Sequence, residues 1–246
     1  MTVQHLDPAP DHILGLVVLS TDETLENEAR ALLAAQPVSL HHSRIFSADT
    51  VTPTSLSDMK TRITASAALL PEHVGVVGYA CTSASVMIGP DEVAAQVRAG
   101  RPGVAVTNPI SATCAALDAL DARRIGLVTP YVPDVVAPMR AHLARHGVEV
   151  VEELSFGEGD DRRVARIPQT VTAQAARDVA RNARIDALFL SCTNLRSFGV
   201  IEQLEDELKL PVISSNLALL WHMLVLANAD TRRPGFGRLF SGAGYV

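Results

Sequence analysis

Apolar residues along this chain follow two alternating patterns. One is short and unbroken, as in Ile13–Leu19, where no polar side chain interrupts the run. A strand covered on both faces has that signature. The other repeats every three to four residues, as at Leu56, Met59, Ile63, Ala67 and Leu70, and marks one face of a helix. The first pattern predicts strands at Ile13–Leu19, Ser43–Phe46, Val74–Tyr79, Val104–Thr107, Arg124–Thr129, Glu149–Ser155, Ala187–Leu190 and Pro211–Ile213. The second predicts helices from Thr21 or Asp22 to about Ala35, then over Pro53–Leu70, Asp91–Ala99, Ile110–Leu120 and Val132–His146. Further helices are predicted over Val171–Asn182, Phe198–Leu208 and Asn216–Ala227. Pro37, Gly100, Pro130 and Gly147 sit where elements should stop. Residues 1–12 read as a loose leader. The glycine-rich tail from Asp230, including Gly242 and Gly244, reads as a segment that packs loosely or caps a surface.

Strands alternating with amphipathic helices imply an α/β fold with parallel sheets. Two strand ends share one grammar. The apolar run from Val74 leads to Cys81-Thr82-Ser83, and the run from Ile185 leads to Cys192-Thr193-Asn194, 111 residues later. This repeat predicts two pseudo-symmetric lobes, each a parallel sheet flanked by helices, with an active-site cleft between them. The first lobe would span 13–109 and take back the C-terminal helix at 215–228. The second would span 110–214. Ligands of parallel sheets sit beyond the carboxyl ends of the strands, where both cysteines fall.

Composition narrows the chemistry. The chain has 246 residues, 48% hydrophobic and 20% charged, enough for a sizeable core. Its net charge of −6 and 4% aromatic content argue against nucleic acid as a partner. Three cysteines without a CxxC pair suggest neither a disulfide framework nor a zinc site. No dinucleotide glycine motif, Walker motif or GxSxG elbow is present, so no cofactor is expected. No apolar run approaches a membrane span, and the N-terminus lacks the order of a signal peptide. The expectation is a soluble, cytoplasmic protein without a membrane partner.

Two thiols facing one cleft suit proton transfer at carbon, one removing a proton and the other returning it on the opposite face. One thiolate can also add covalently to an activated double bond. A cysteine at a helix N-terminus sits in a field that favours its thiolate. Backbone N–H groups and side chains of Thr82, Ser83, Thr193 and Asn194 are candidates for holding a carboxylate or enediolate. Cys114, inside an apolar helical run, reads instead as a small buried hydrophobe. His142 and His146 lie four apart on a helix, a spacing open to a metal, but Arg145 stands between them and a solvated helix face is the better reading.

Together these segments resemble the aspartate/glutamate racemase superfamily, and within it the branch of maleate cis–trans isomerase and arylmalonate decarboxylase. The resemblance is carried by Ser20–Glu26, Gly78–Ser83, Leu127–Tyr131, Val164–Arg166 and Ser191–Asn194. It implies a cofactor-independent enzyme, commonly dimeric, acting on a small carboxylate. Decarboxylases of the branch keep only the second cysteine, so the presence of both favours isomerase or racemase chemistry. A single-cysteine decarboxylase and a non-catalytic small-acid-binding protein are the alternatives. The resemblance implies Cys81 as nucleophile or first base, Cys192 as the opposing acid, and Thr82, Ser83, Tyr131 and Thr193 around a substrate carboxylate. Maleate isomerases have asparagine at the position of Asp22 and near that of Asp161. Aspartate there suits a cationic or NH-bearing group, as in ectoine, a cyclic amidinium carboxylate whose utilisation proteins this chain also resembles at Thr21–Thr24. Asp22 is equally well explained as a helix N-cap, and Asp161 as a solvated loop acid.

Overall fold

The computed structural model describes residues 11–34, 36–181 and 184–242. Most of the anticipated leader, the helix ends at Ala35 and Asn182, and Gly244 lie outside the described residues. The chain alternates as expected. The first half runs β1 (His12–Leu19), α1 (Leu25–Leu33), β2 (Val38–Ile45), α2 (Pro53–Asp58), α3 (Lys60–Ala68) and β3 (Val76–Ala80). It continues with α4 (Thr82–Ile88), α5 (Pro90–Gly100), β4 (Ala105–Thr107) and α6 (Pro109–Ala119). The second half runs β5 (Arg124–Thr129), α7 (Pro133–Arg145), β6 (Glu149–Ser155), α8 (Asp161–Val164), α9 (Gln169–Arg181) and β7 (Ala187–Leu190). Then come α10 (Phe198–Leu208), β8 (Val212–Ser214) and α11 (Ser215–Leu226).

Two four-stranded sheets result, ordered β2-β1-β3-β4 and β6-β5-β7-β8, with every strand pair parallel. The second order repeats the first shifted by four strands. In each, the strand order reverses beside the first strand of the half, the place where such sheets open a crevice for a ligand. Cys81 follows β3 and Cys192 follows β7, so the two cysteines occupy equivalent places.

Sequence and structure differ at several elements. Strand β2 begins at Val38, well before Ser43. It is an edge strand, so His42 and Arg44 project from a partly open sheet and blur the apolar pattern. The long helix expected over Pro53–Leu70 is divided at Met59 into α2 and α3. Helix α5 ends on Gly100 for a packing reason: a Cβ there would lie 2.2 Å from the Thr64 carbonyl oxygen of α3. The tail is not loose. Leu239 and Phe240 are buried, and Phe236 packs edge-on against Phe198 at 5.5 Å.

Helix α11 is apolar around most of its circumference, as a helix enclosed on all sides must be. Ser214 caps it, accepting the Leu217 N–H at 3.1 Å. It packs along α6 and onto β3 and β4 of the first sheet while following directly from β8 of the second. Its approach to β3 is close: a Cβ on Gly78 would lie 2.7 Å from the Met223 sulfur. Among the described residues no helix is long and apolar enough to cross a membrane.

Candidate active site

Parallel strands deliver the site residues to one edge of the molecule. The β3 backbone carries on in extended form through Cys81, which caps α4: its sulfur accepts the Ala84 N–H at 3.4 Å. Ser83 places its hydroxyl 3.6 Å from the same sulfur. Cys192 is held differently. Its φ is 136°, in the region that side-chain-bearing residues rarely occupy. Its N–H donates to Ser215 Oγ at 3.0 Å, and its sulfur accepts the Asn194 N–H at 3.4 Å. No helix follows Cys192 directly: the chain turns through Thr193–Ser197, and α10 starts at Phe198 as the apolar pattern predicts, so only Cys81 sits at a helix N-terminus.

Both sulfurs line one narrow, largely enclosed cleft. Ser83, Tyr131, Asp161 and Thr193 line it with them, and Val51, Leu56 and Met59 form an apolar wall. Among the described residues no Lys, Arg or His side chain lines it. Burial pushes the Cys81 thiol up to about 12, against the opposing hydrogen bonds from Ala84 and Ser83. Burial likewise holds the Cys192 thiol well above its ordinary value, with the Asp161 charge adding to it and a hydrogen bond from the Tyr131 hydroxyl opposing. Both cysteines are therefore thiols at neutral pH. The helix-end field at Cys81 does not overcome burial.

Asp161 reaches the cleft from α8. Its carboxylate accepts the Thr21 hydroxyl at 2.5 Å, and it is buried, so its affinity for a proton is raised chiefly by burial. It is thus no solvated loop acid. The loop before it is pinned to the segment after β2 by Val51 N–H to the Gly159 carbonyl, 2.8 Å, and Asp161 N–H to the Asp49 carbonyl, 3.0 Å. These bonds close one end of the cleft.

Three candidate residues stand behind the cleft wall. Asp22 accepts the Thr24 and Leu25 N–H groups at 2.9 and 2.8 Å and so caps α1; burial raises it to about 6. The Thr82 hydroxyl donates to Ser215 Oγ at 2.8 Å, the same oxygen that holds Cys192 N–H. Asn194 joins three segments, donating to the Thr21 and Asp161 carbonyls at 3.2 and 2.9 Å and accepting Glu23 N–H at 2.9 Å. Thr82 and Asn194 are engaged in fixing segments that the lining residues depend on, and one oxygen of Asp22 is engaged in the same way.

Sequence reasoning missed Ser47, Glu28 and Ser215. Ser47 follows β2 and lines the cleft, bonding Thr21 at 2.9 Å; its signal in the sequence is its place just after the predicted strand end at Phe46. Glu28 lies within the buried stripe Leu25, Ala29 and Leu32 of α1, an acid where an apolar residue was due. It accepts Ser197 N–H, Phe198 N–H and the Asn216 amide at 2.9, 3.0 and 2.7 Å, and burial raises it to about 7.

Comparison with known proteins agrees with this geometry. The family model described as arylmalonate decarboxylase matches residues 14–240. A maleate isomerase of Nocardia farcinica (strain IFM 10152) is 32% identical over 241 residues, covering 92% of this chain and 94% of its own. The crystal structure of maleate isomerase Iso from Pseudomonas putida S16 superposes with a TM-score of 0.86 at 27% identity, covering 94% of this chain and 99% of that one. A cysteine-to-serine mutant of the Nocardia farcinica maleate cis–trans isomerase, carrying a covalently bound succinylcysteine intermediate, superposes with a TM-score of 0.83 at 28% identity, covering 93% and 98%. The chain belongs to the arylmalonate decarboxylase family, in the branch of the Asp/Glu racemase-like proteins that includes the maleate isomerases.

Proposed function

We propose that this enzyme is a cofactor-independent isomerase that works on a small unsaturated carboxylate with Cys81 and Cys192. The observation that carries the reading is that one cysteine from each half of the chain lines a single enclosed cleft. The succinylcysteine found in a related isomerase supports covalent addition over simple proton transfer. Cys81 first gives up its proton to solvent, and the small thiolate fraction so formed adds to one carbon of the double bond. The displaced electron pair moves to the neighbouring carbon, which takes the proton of the Cys192 thiol. The former double bond is now single and turns. Cys192 thiolate then removes a proton from the same carbon, the double bond re-forms, and Cys81 leaves as thiolate. Charge that develops on the carboxylate meets the hydroxyl groups of Ser83, Tyr131 and Thr193, all neutral donors in an enclosed site.

The cleft also constrains the substrate's charge. It offers no basic side chain and one buried carboxylate, Asp161. A dicarboxylate would set its second anion against Asp161, whereas an amine or amidinium would pair with it. The substrate is therefore a carboxylate with a cationic or NH-bearing far end. A cyclic amidinium carboxylate such as ectoine meets that charge pattern by a different route: its saturated α-carbon offers no double bond for addition, and the same thiol pair would instead remove and return the α-proton and invert configuration.

The test uses Cys81→Ser and Cys192→Ser, each assayed with maleate and with amino- and amidinium-bearing carboxylates. Each substitution is expected to lower turnover by roughly 10²-fold or more. Intact-mass analysis of Cys192→Ser with substrate should find an adduct on Cys81. Undiminished turnover after either substitution sinks the two-thiol mechanism. Asp161→Asn should weaken a cationic substrate by about tenfold or more and strengthen maleate. Maleate saturating the wild type, with no gain in Asp161→Asn, refutes the charge assignment alone.

A further inference from the structure

Helices α6 and α7 gather three side chains that take no part in the cleft. Cys114 lies on α6; His142 lies on α7 and His146, one turn later, is the residue that closes that helix, so both imidazoles leave the same side. The Cys114 sulfur and one nitrogen from each imidazole all lie within 4.8 Å of one another. His142 is only 7% exposed, and its buried Nε2 has no hydrogen-bond partner. A buried ring nitrogen left without a partner is costly, and an ion at this point would satisfy it. The reading of these histidines as a solvated face therefore fails for His142. His146 has its Nδ1 3.0 Å from the His142 carbonyl oxygen. A carbonyl only accepts, so Nδ1 is the donor in that bond, which leaves Nε2 as the nitrogen that can turn to a metal.

We propose that Cys114, His142 and His146 form a binding site for a borderline-soft divalent transition-metal ion such as Zn²⁺, with solvent as the fourth ligand. A thiolate and two imidazoles select zinc or cobalt over magnesium or calcium, which take oxygen ligands. Tetrahedral zinc brings its ligand atoms to about 3.5 Å from one another, a contraction that side-chain rotation supplies. His146 is exposed, so the ion enters from solvent without opening the core. Bound there, it would tie α6, which lies along α11, to α7, which lies on β6 of the second sheet.

The experiment adds Zn²⁺ or Co²⁺ to chelator-treated protein in which Cys81 and Cys192 are both serine, so that the cleft thiols cannot compete. The expected result is a single ion per chain and, with Co²⁺, a sulfur-to-metal charge-transfer band with the intense visible bands of a tetrahedral centre. Cys114→Ala should abolish the charge-transfer band, and His146→Ala should weaken binding at least roughly tenfold. His146 is at the surface, so its replacement leaves the fold intact, which a metal-free melting curve checks. Zn²⁺ should raise the melting temperature of the parent and not that of His146→Ala. Absence of a charge-transfer band, or a band that survives Cys114→Ala, overturns the proposal.

Discussion

Cys81 and Cys192 are buried thiols whose ionisation is opposed by their surroundings, and this sets how they should react. Alkylation of the free enzyme by iodoacetamide should be slow at pH 7 and keep climbing past the ordinary cysteine value of about 8.5. A plateau near that value would mean exposed, unperturbed thiols. Tyr131 donates to Cys192 and favours its thiolate, so Tyr131→Phe should shift the Cys192 profile to still higher pH and leave that of Cys81 nearly in place. Peptide mapping of the label separates the two. At this scale the sequence identified strand-end residues well, because a cysteine after an apolar run in an α/β chain has few other places to go. It could not say which way neighbouring side chains turn. Ser83, Thr193 and Asp161 face the cleft, while Thr82, Asn194 and Asp22, from the same short motifs, turn to Ser215, to the Thr21 and Asp161 carbonyls and to the start of α1. For Thr82 and Asn194 that choice is made by tertiary hydrogen bonds to partners 33 or more residues away in sequence; for Asp22 it is made locally.

Helix α10 illustrates what an element needs beyond its own residues. Ser197 supplies no side-chain cap, and Glu28 of α1 serves instead by accepting two of the first N–H groups. Glu28→Ala would strand those donors and the Asn216 amide, and should cost about 2–4 kcal/mol in chemical denaturation. Glu28→Gln keeps the shape and fixes the neutral form. The folded Glu28 holds its proton up to about 7, against 4.5 for an ordinary glutamate. The folded state thus binds more protons than the unfolded chain across that window, and stability falls as pH rises through it. Relative to Glu28→Gln, the wild type should lose denaturant resistance from about pH 4.5 to about pH 7. A flat difference across that range would show that Glu28 is ionised throughout. The apolar pattern placed α1 and α10 correctly but is blind to such a contact, which joins residues 169 positions apart. It also misjudged the tail, where Phe236, Leu239 and Phe240 pack into place with no helical or strand period to announce them.

Across the whole molecule, the repeated strand order makes the cleft a seam between two similar halves, and Ser215 is a rivet on that seam. Its hydroxyl oxygen accepts from Thr82, beside Cys81, and from the backbone of Cys192. Ser215→Ala removes that shared acceptor without touching either sulfur. Turnover should fall by roughly tenfold with a much smaller change in KM, since what is lost is the mutual placement of the thiols rather than a substrate contact. Steady-state kinetics check this, and an equal rise in KM would assign Ser215 to substrate binding instead. The alternation of strand and helix made the α/β class legible, and the twin Cys-Thr strand ends made the repeat legible. The return of α11 to the first sheet is visible only as a helix too apolar for any surface.

The φ of 136° at Cys192 sets sulfur chemistry against backbone comfort. Glycine adopts that conformation freely, so Cys192→Gly should melt later than the wild type, by an amount corresponding to roughly 1 kcal/mol, while turning over nothing. A sulfur placed where glycine would rest more easily is what the proposed two-thiol reaction calls for and what sturdiness alone would not select.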